Sequence, residues 1–362
     1  MKSNYEPLGK HIRLVDYRNS EEVTSTVLGI SIDKEFMPSV ANVIGTDLSR
    51  YKLISKGLFA CNPMHVGRDE RLPIALYEKD NAAIVSPAYF MFEIIDRDVL
   101  NEEYLMMWFR RPEFDRECWF MTDGSVRGGI TWDDLCRIKL PVPSYARQCE
   151  IVESYRAITN RIALKRAEND NLEATAMSLY KSWFIDYEPF DLDDEGLPVG
   201  WCKEKLNDKL STSTQSINPQ KMDCDFVWHY SIPAYDNEKL PSKDTPSSIL
   251  SNKYIVPQNA ILVSKLNPDT KRIWRSVPCF ENAICSTEFI VFSTKEPTHR
   301  AFYYLLFNTG SFIDFLVSNA TGSTNSRMRV KPASSLDFEF ICPPNEVIDS
   351  FCRKVEPLLQ KI

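Results

Sequence analysis

The chain repeats itself. "TDGSVRGGI" at 122–130 and "ATGSTNSRMRV" at 320–330 each set a Gly-Ser pair ahead of arginine, and Gly124 and Gly322 lie 198 positions apart. Leu8-Gly9 and Leu206-Asn207 are separated by the same step. Between these anchors the order of patterns agrees. "YKLISKGLFACNP" (51–63) is answered by "YIVPQNAILVSKLNP" (254–268), each an apolar run closing on Asn-Pro. "AAIVSPAYFMFEI" (82–94) is answered by "NAICSTEFIVFS" (282–293), both rich in β-branched and aromatic residues, as strands are. Helix-like stretches follow at 101–114 and 299–312, and after the Gly-Ser loops come "LCRIKLPVP" and "LDFEFICPP", short strands closed by prolines. A collinear series of this length is an internal duplication. It requires both halves to adopt one fold, and the mixture of strand and helix signals makes that fold α/β (α+β).

A helical pattern trails each repeat. From about 144 to 185 the seam Ile151, Tyr155, Ile158, Ile162, Lys165, Asn169, Leu172, Ala176, Leu179, Trp183 advances in alternating steps of four and three, a coiled-coil spacing. Forty residues at the helical rise give a rod of about 60 Å. Lys165 and Asn169 interrupt the seam with polar groups, which either fix register or mark a plain amphipathic helix. After Pro344 the stripe returns as Phe351, Val355, Leu358 and Ile362, and this second helix has less than half the residues of the first. Pro357 falls inside it and is expected to weaken or kink it by roughly 3 kcal/mol. The linker "DYEPFDLDDEGLPVGW" (186–201) separates the halves. The expected division is a first repeat unit at 1–143, a helix at 144–187, a second repeat unit at 188–342 and a short helix at 343–362.

The net charge of −7 over 362 residues argues at first against nucleic acid, but six acids in 186–195 account for most of it. A local basic face is therefore open to the rest of the chain. The ten cysteines include no C-x-x-C pair, and Cys279 and Cys285 are the nearest two, so zinc is not expected and a reducing cytoplasm is. No apolar run approaches the roughly 20 residues of a membrane span, and no signal-peptide core follows the N-terminus. Catalytic motifs are missing in kind. Pro343-Pro344 stands between Cys342 and Asn345 rather than in an Asn-Pro-Pro-aromatic methyltransferase motif. There is no glycine-rich phosphate loop. Asp269-Thr270-Lys271 lacks a convincing acidic partner for a nuclease, and His11, His65, His229 and His299 are scattered.

Binding chemistry remains. In repeat two, "SKLNPDTKRIWR" (264–275) supplies Lys265, Asn267, Lys271, Arg272 and Arg275, and the Gly-Ser loop adds Ser323, Asn325, Arg327 and Arg329. Repeat one offers Asn62, His65, Arg68, Arg71, Ser125 and Arg127. Each run alone reads as a solvated loop. Doubled, they favour nucleic acid, whose phosphates Lys and Arg neutralise and whose guanine or adenine Arg or Asn can pair with bidentately in a major groove.

With these residues in view the chain resembles the specificity subunit of Type I restriction–modification enzymes. The paired Gly-Ser loops, the "LPVP" and "CPP" strand ends, "PSYARQCEIV" (143–152) and "AMSLYKSWFIDYEPF" (176–190) carry the resemblance over nearly the whole chain. It implies two target recognition domains related by a pseudo-two-fold axis and held apart by long antiparallel helices. Each domain would read one half of a split, asymmetric double-stranded DNA target. It also implies a cytoplasmic subunit without catalysis of its own. Two modification subunits would bind S-adenosylmethionine and methylate adenine, and restriction subunits would use ATP and Mg. Tyr180, Trp183 and Phe184 would serve the helix packing or dock a modification subunit, packing being favoured. A self-contained methyltransferase or nuclease with divergent motifs, and a protein–protein scaffold, are the competing readings.

Overall fold

The computed structural model describes residues 5–39, 45–64, 66–122, 128–277, 280–322 and 327–362, and falls into two units, 1–163 and 164–362. The first unit holds strands β1 (Tyr5–Pro7), β2 (Ile12–Leu14), β3 (Val27–Ile30), β4 (Phe36–Pro38), β5 (Lys52–Ile54), β6 (Phe59–Cys61), β7 (Ile74–Leu76), β8 (Ala83–Val85), β9 (Phe90–Ile94) and β10 (Lys139–Pro141). They form an inner sheet ordered β2-β9-β6-β7, an outer sheet ordered β4-β3-β8-β5, and a terminal ladder of β1 with β10.

Side-chain alternation explains the layering. Phe59, Cys61, Ile74, Phe92 and Ile94 point from the inner sheet to a core shared with the helices Glu102–Phe109 and Pro112–Phe120. Ala60, Ala75 and Met91, the intervening residues, point the other way and pack with Leu28, Ile30, Ile54, Ala83 and Val85 of the outer sheet. Successive strand residues face opposite sides, so a strand covered on both faces reads as an unbroken apolar run, as "LFAC" does.

The second unit repeats this plan. Its strands are β11 (Cys202–Lys205), β12 (Leu210–Ser213), β13 (Ser216–Ile217), β14 (Val227–Tyr230), β15 (Ser242–Asp244), β16 (Lys253–Ile255), β17 (Ile261–Ser264), β18 (Ile273–Arg275), β19 (Ala283–Cys285), β20 (Phe289–Thr294) and β21 (Glu339–Cys342). The inner sheet is ordered β12-β20-β17-β18, the outer β13-β16-β19-β14-β15, and β11 closes on β21. Apart from the added β13, every strand has its counterpart in the first unit. The one parallel pairing of each outer sheet falls at the same place, β3 with β8 and β14 with β19. Ile261, Val263, Ile273 and Phe292 face the helices Arg300–Phe307 and Gly310–Ser318, while Leu262, Trp274 and Val291 face the outer sheet.

The long helix runs from Tyr145 to Phe184, 40 residues without a break. Its start is pinned in the first unit by Gln148, which is fully buried. Gln148 accepts from Asn101 N at 2.9 Å and donates to the carbonyls of Val99 and Pro143 at 2.9 and 2.8 Å. Its last turns bury Ala176, Tyr180 and Phe184 in the second unit, with Leu179 and Trp183 packed alongside. Phe351 of the final helix, Asn345–Leu359, meets the rings of Tyr180, Trp183 and Phe184 at 6.0, 5.6 and 4.7 Å. Lys361 lies near enough to Glu168 to lower its pKa, after the nearer Lys165. The two helices therefore run antiparallel, and Tyr180, Trp183 and Phe184 serve as core packing.

Two details of the final helix differ from the sequence expectation. The final helix continues through Pro357, which sits in its last turn on an exposed face. Its buried stripe is Ile348, Phe351, Cys352, Val355 and Leu359, so Leu359 replaces Leu358 and Ile362 is 49% exposed. The seam of the long helix is covered only toward its ends. Tyr155, Ile158 and Ile162 are exposed in its middle, and Lys165 pairs with its neighbour Glu168 at 2.6 Å rather than across a seam. The acid-rich linker is also tethered. Phe190 stacks edge-on to Trp183 and Trp201 at 5.7 and 4.8 Å.

These packings give a contrast. Phe351→Ala removes a fully buried ring and is expected to cost about 3–5 kcal/mol in chemical denaturation. Ile158→Ala, at a position 62% exposed, should change stability by no more than about 0.5 kcal/mol.

Candidate nucleic-acid interface

In the second unit the two basic runs, some sixty residues apart in sequence, meet. Val330 donates its N–H to Lys265 O at 3.0 Å, and Asn267 N donates to Met328 O at 2.8 Å. Asn267 holds a left-handed backbone (φ 48°), which asparagine tolerates, and its side-chain oxygen accepts from Met328 N at 3.1 Å. Thr321 and Arg329 exchange two backbone bonds of 2.9 Å, closing the loop on itself. Gly322 is required inside that closure, since a Cβ there would stand 2.6 Å from Arg327 O. A third segment joins from the turn before β20, where Lys265 N donates to Glu288 O at 2.9 Å.

The first unit makes the same junction with fewer charges. Ile130, 200 positions before Val330, donates to Pro63 O at 3.1 Å, and Gly67 N donates to Gly128 O at 2.9 Å. Gly129 lies against Pro63, where a Cβ would be 2.7 Å from the carbonyl oxygen. In both repeats the Asn-Pro loop after an inner strand is therefore bonded to the residues that follow the Gly-Ser pair.

The candidate side chains divide by their partners. Arg272 is held by Asp236 through bonds of 2.6 and 2.9 Å. Arg275 bonds Glu356 at 2.9 Å and also donates to the carbonyl of Leu359, so it caps the final helix from inside the fold. Trp274 is buried against Tyr230 and Tyr235. Arg329 makes a two-pronged pair with Glu288, whose carboxylate raises the arginine pKa further. Lys265, Lys271 and Arg327 have no carboxylate partner among the described residues, and Lys271 and Arg327 are exposed. Lys331, which the sequence groups with Arg327 and Arg329, is exposed as well.

In the first unit Arg68 pairs with Asp69 at 2.7 Å and Arg71 with Asp33 at 3.2 Å. The neighbour of Arg71, Leu72, donates its N–H at 3.0 Å to Asp115, whose same oxygen takes the buried Lys34 ammonium at 2.6 Å. Burial lowers the pKa of that lysine, with Asp115 opposing the shift. Asn62 closes a local turn by accepting from Met64 N. His65, Ser125, Arg127, Ser323 and Asn325 lie outside the described residues, as does Gly124.

Among the described residues no cluster of His, Cys, Asp and Glu is arranged to hold a metal, and no helix is long and apolar enough to cross a membrane. The nine described cysteines are free, and burial pushes Cys285, Cys342 and Cys352 up to about 12, far from a reactive thiolate.

The junction makes a direct forecast. Gly322→Ala forces a Cβ into backbone and should cost about 1–3 kcal/mol. The damage should be read locally, as faster hydrogen exchange of the Thr321 and Arg329 amides, with the β17 amides unchanged.

No protein-family model matches the chain. Curated proteins do. It is 23% identical over 295 residues to the Type I restriction enzyme MjaIX specificity subunit of Methanocaldococcus jannaschii, covering 74% of this chain and 65% of that protein. It is 30% identical over 93 residues to the Type I restriction enzyme HindI specificity subunit of Haemophilus influenzae, covering 26% of this chain and 20% of that one. The aligned stretches thus span less than two thirds of either relative. Among solved structures, the Type I restriction–modification S subunit from M. genitalium superposes with a TM-score of 0.52 at 13% identity, over 99% of this chain and 90% of that one. In sequence the chain is similar to specificity subunits of Type I restriction enzymes, and in fold it is similar to the S subunit of such a system.

Proposed function

We propose that the chain is the DNA-specificity subunit of a Type I restriction–modification complex. Each repeat reads one half of a bipartite, asymmetric target in double-stranded DNA. The observation that carries this reading is the doubled junction of two loops, one per repeat, the second carrying Lys265, Lys271 and Arg327, which have no carboxylate partner among the described residues. Unpaired cations beside a backbone-fixed loop are suited to phosphates, and linking two modest readers in one chain raises the effective concentration of each. Methyl transfer from S-adenosylmethionine and ATP- and Mg-dependent cleavage then belong to modification and restriction subunits that the chain recruits, in the cytoplasm. The divergence between Gly129 and Arg329 at matching positions supports unlike half-sites.

The test is a map of methylated adenines in DNA from cells carrying this chain with Type I modification subunits. The expected result is a motif of two unlike defined halves around a fixed gap, lost when the gene is deleted. No motif, despite stable association of the subunits, sinks the reading. The cations give a finer forecast. Lys271→Ala and Arg327→Ala should each reduce the slope of log affinity against log salt by about 1 without loss of stability. Arg275→Ala should leave the slope alone and cost about 1–3 kcal/mol of fold stability, because it strips a partner from Glu356 and the Leu359 carbonyl.

A further inference from the structure

We infer that Glu288 is a positioning residue and that the side chain it aims, Arg329, determines base specificity in the second repeat. The inference rests on the DNA-reading function proposed above. Arg329 donates from Nε to Glu288 Oε2 at 3.0 Å and from Nη2 to Oε1 at 3.1 Å. A guanidinium carries five N–H donors in a rigid plane. The carboxylate takes one edge of that plane and leaves the edge formed by Nη1 and Nη2 free. The arginine side chain is 45% exposed and the glutamate 28%, so the free edge has access to a ligand while the carboxylate is partly sheltered.

Both ends of the pair are anchored to one strand end. Glu288 O accepts from Lys265 N, Lys265 O accepts from Val330 N, and Arg329 is bonded through its own N–H and C=O to Thr321. Val330, next to Arg329, is buried. Backbone and side-chain bonds thus close a ring through three segments of the chain. An exposed ion pair adds little to stability, so its effect lies elsewhere. It removes the rotamer freedom of a long side chain before any ligand arrives, which is the cost that preorganisation avoids. It also half-neutralises the arginine, which suits a base edge better than a phosphate. Two donors on one planar edge match the N7 and O6 acceptors of guanine in the major groove. Lys265, Lys271 and Arg327, without such a partner, remain for the phosphates. Repeat one has Gly129 at the corresponding place, packed too closely on Pro63 to admit a side chain, so this reader belongs to one half-site only.

The experiment selects duplexes with randomised cores on the full-length chain and sequences those retained, for wild type, Arg329→Ala, Glu288→Ala and Glu288→Gln. Wild type is expected to enrich guanine at one position. Arg329→Ala should abolish that preference, a change of roughly tenfold to a hundredfold. Glu288→Ala should relax the same position and no other. Glu288→Gln, which keeps the volume and one accepting oxygen, should relax it less and serves as the variant that preserves the fold. An intact preference in Glu288→Ala beside a lost one in Arg329→Ala overturns the positioning role. Loss of affinity in Arg329→Ala spread evenly over all sequences makes it a phosphate contact and overturns the specificity role. Failure of the wild type to enrich any motif removes the DNA-reading function itself, a separate result.

Discussion

Each repeat depends on an inner sheet that is apolar on both faces. A strand such as β6 or β17 is dry on either side only if something covers each side. Helices cover one face and a second sheet the other, and no two-layer arrangement would do. That requirement fixes where the loops go. The Asn-Pro segment leaves the end of β6 or β17 at the rim of the layers, and the chain that returns from the helices passes the same rim. The junction between the two loops is thus a result of the layering, reached twice by the same route.

Charge follows a different logic. The chain is acidic overall, yet most arginines singled out by their clustering are consumed within the fold. Arg275 takes Glu356, Arg272 takes Asp236, and Arg71 takes Asp33. Which arginines are held inside the fold, and which keep a donor edge free, depends on carboxylates elsewhere in the chain. Net charge and local clustering are both blind to it.

That is also why part of the molecule was legible in the sequence and part was not. The duplication, the matching series of strands and helices in the two halves, the long helix and the aromatic packing of Tyr180, Trp183 and Phe184 all follow from local periodicity and from comparing one half with the other. The packing of Gln148 did not. A glutamine in the first turns of an exposed-looking helix gives no sign that Asn101, Val99 and Pro143 will surround it. Glu288 was equally hidden, since it stands 41 residues from Arg329 in a turn with no basic neighbours. The middle of the long helix is a third case. Tyr155, Ile158 and Ile162 carry the right spacing, but spacing states what a helix offers and not what covers it.

The terminal ladders have a consequence of another kind. β1 pairs with β10 and β11 with β21, so each repeat starts and finishes on neighbouring strands. A folding unit whose ends are hydrogen-bonded to each other has in effect a circular backbone, interrupted only where the chain enters and leaves. Genetic exchange of one repeat for a foreign one then severs no internal hydrogen bond of the other. Moving the break to a surface loop would preserve every strand pairing while changing the order in which the halves are written. The duplicated architecture is in this sense a cassette, in which the scaffold is shared and the loops are free to diverge.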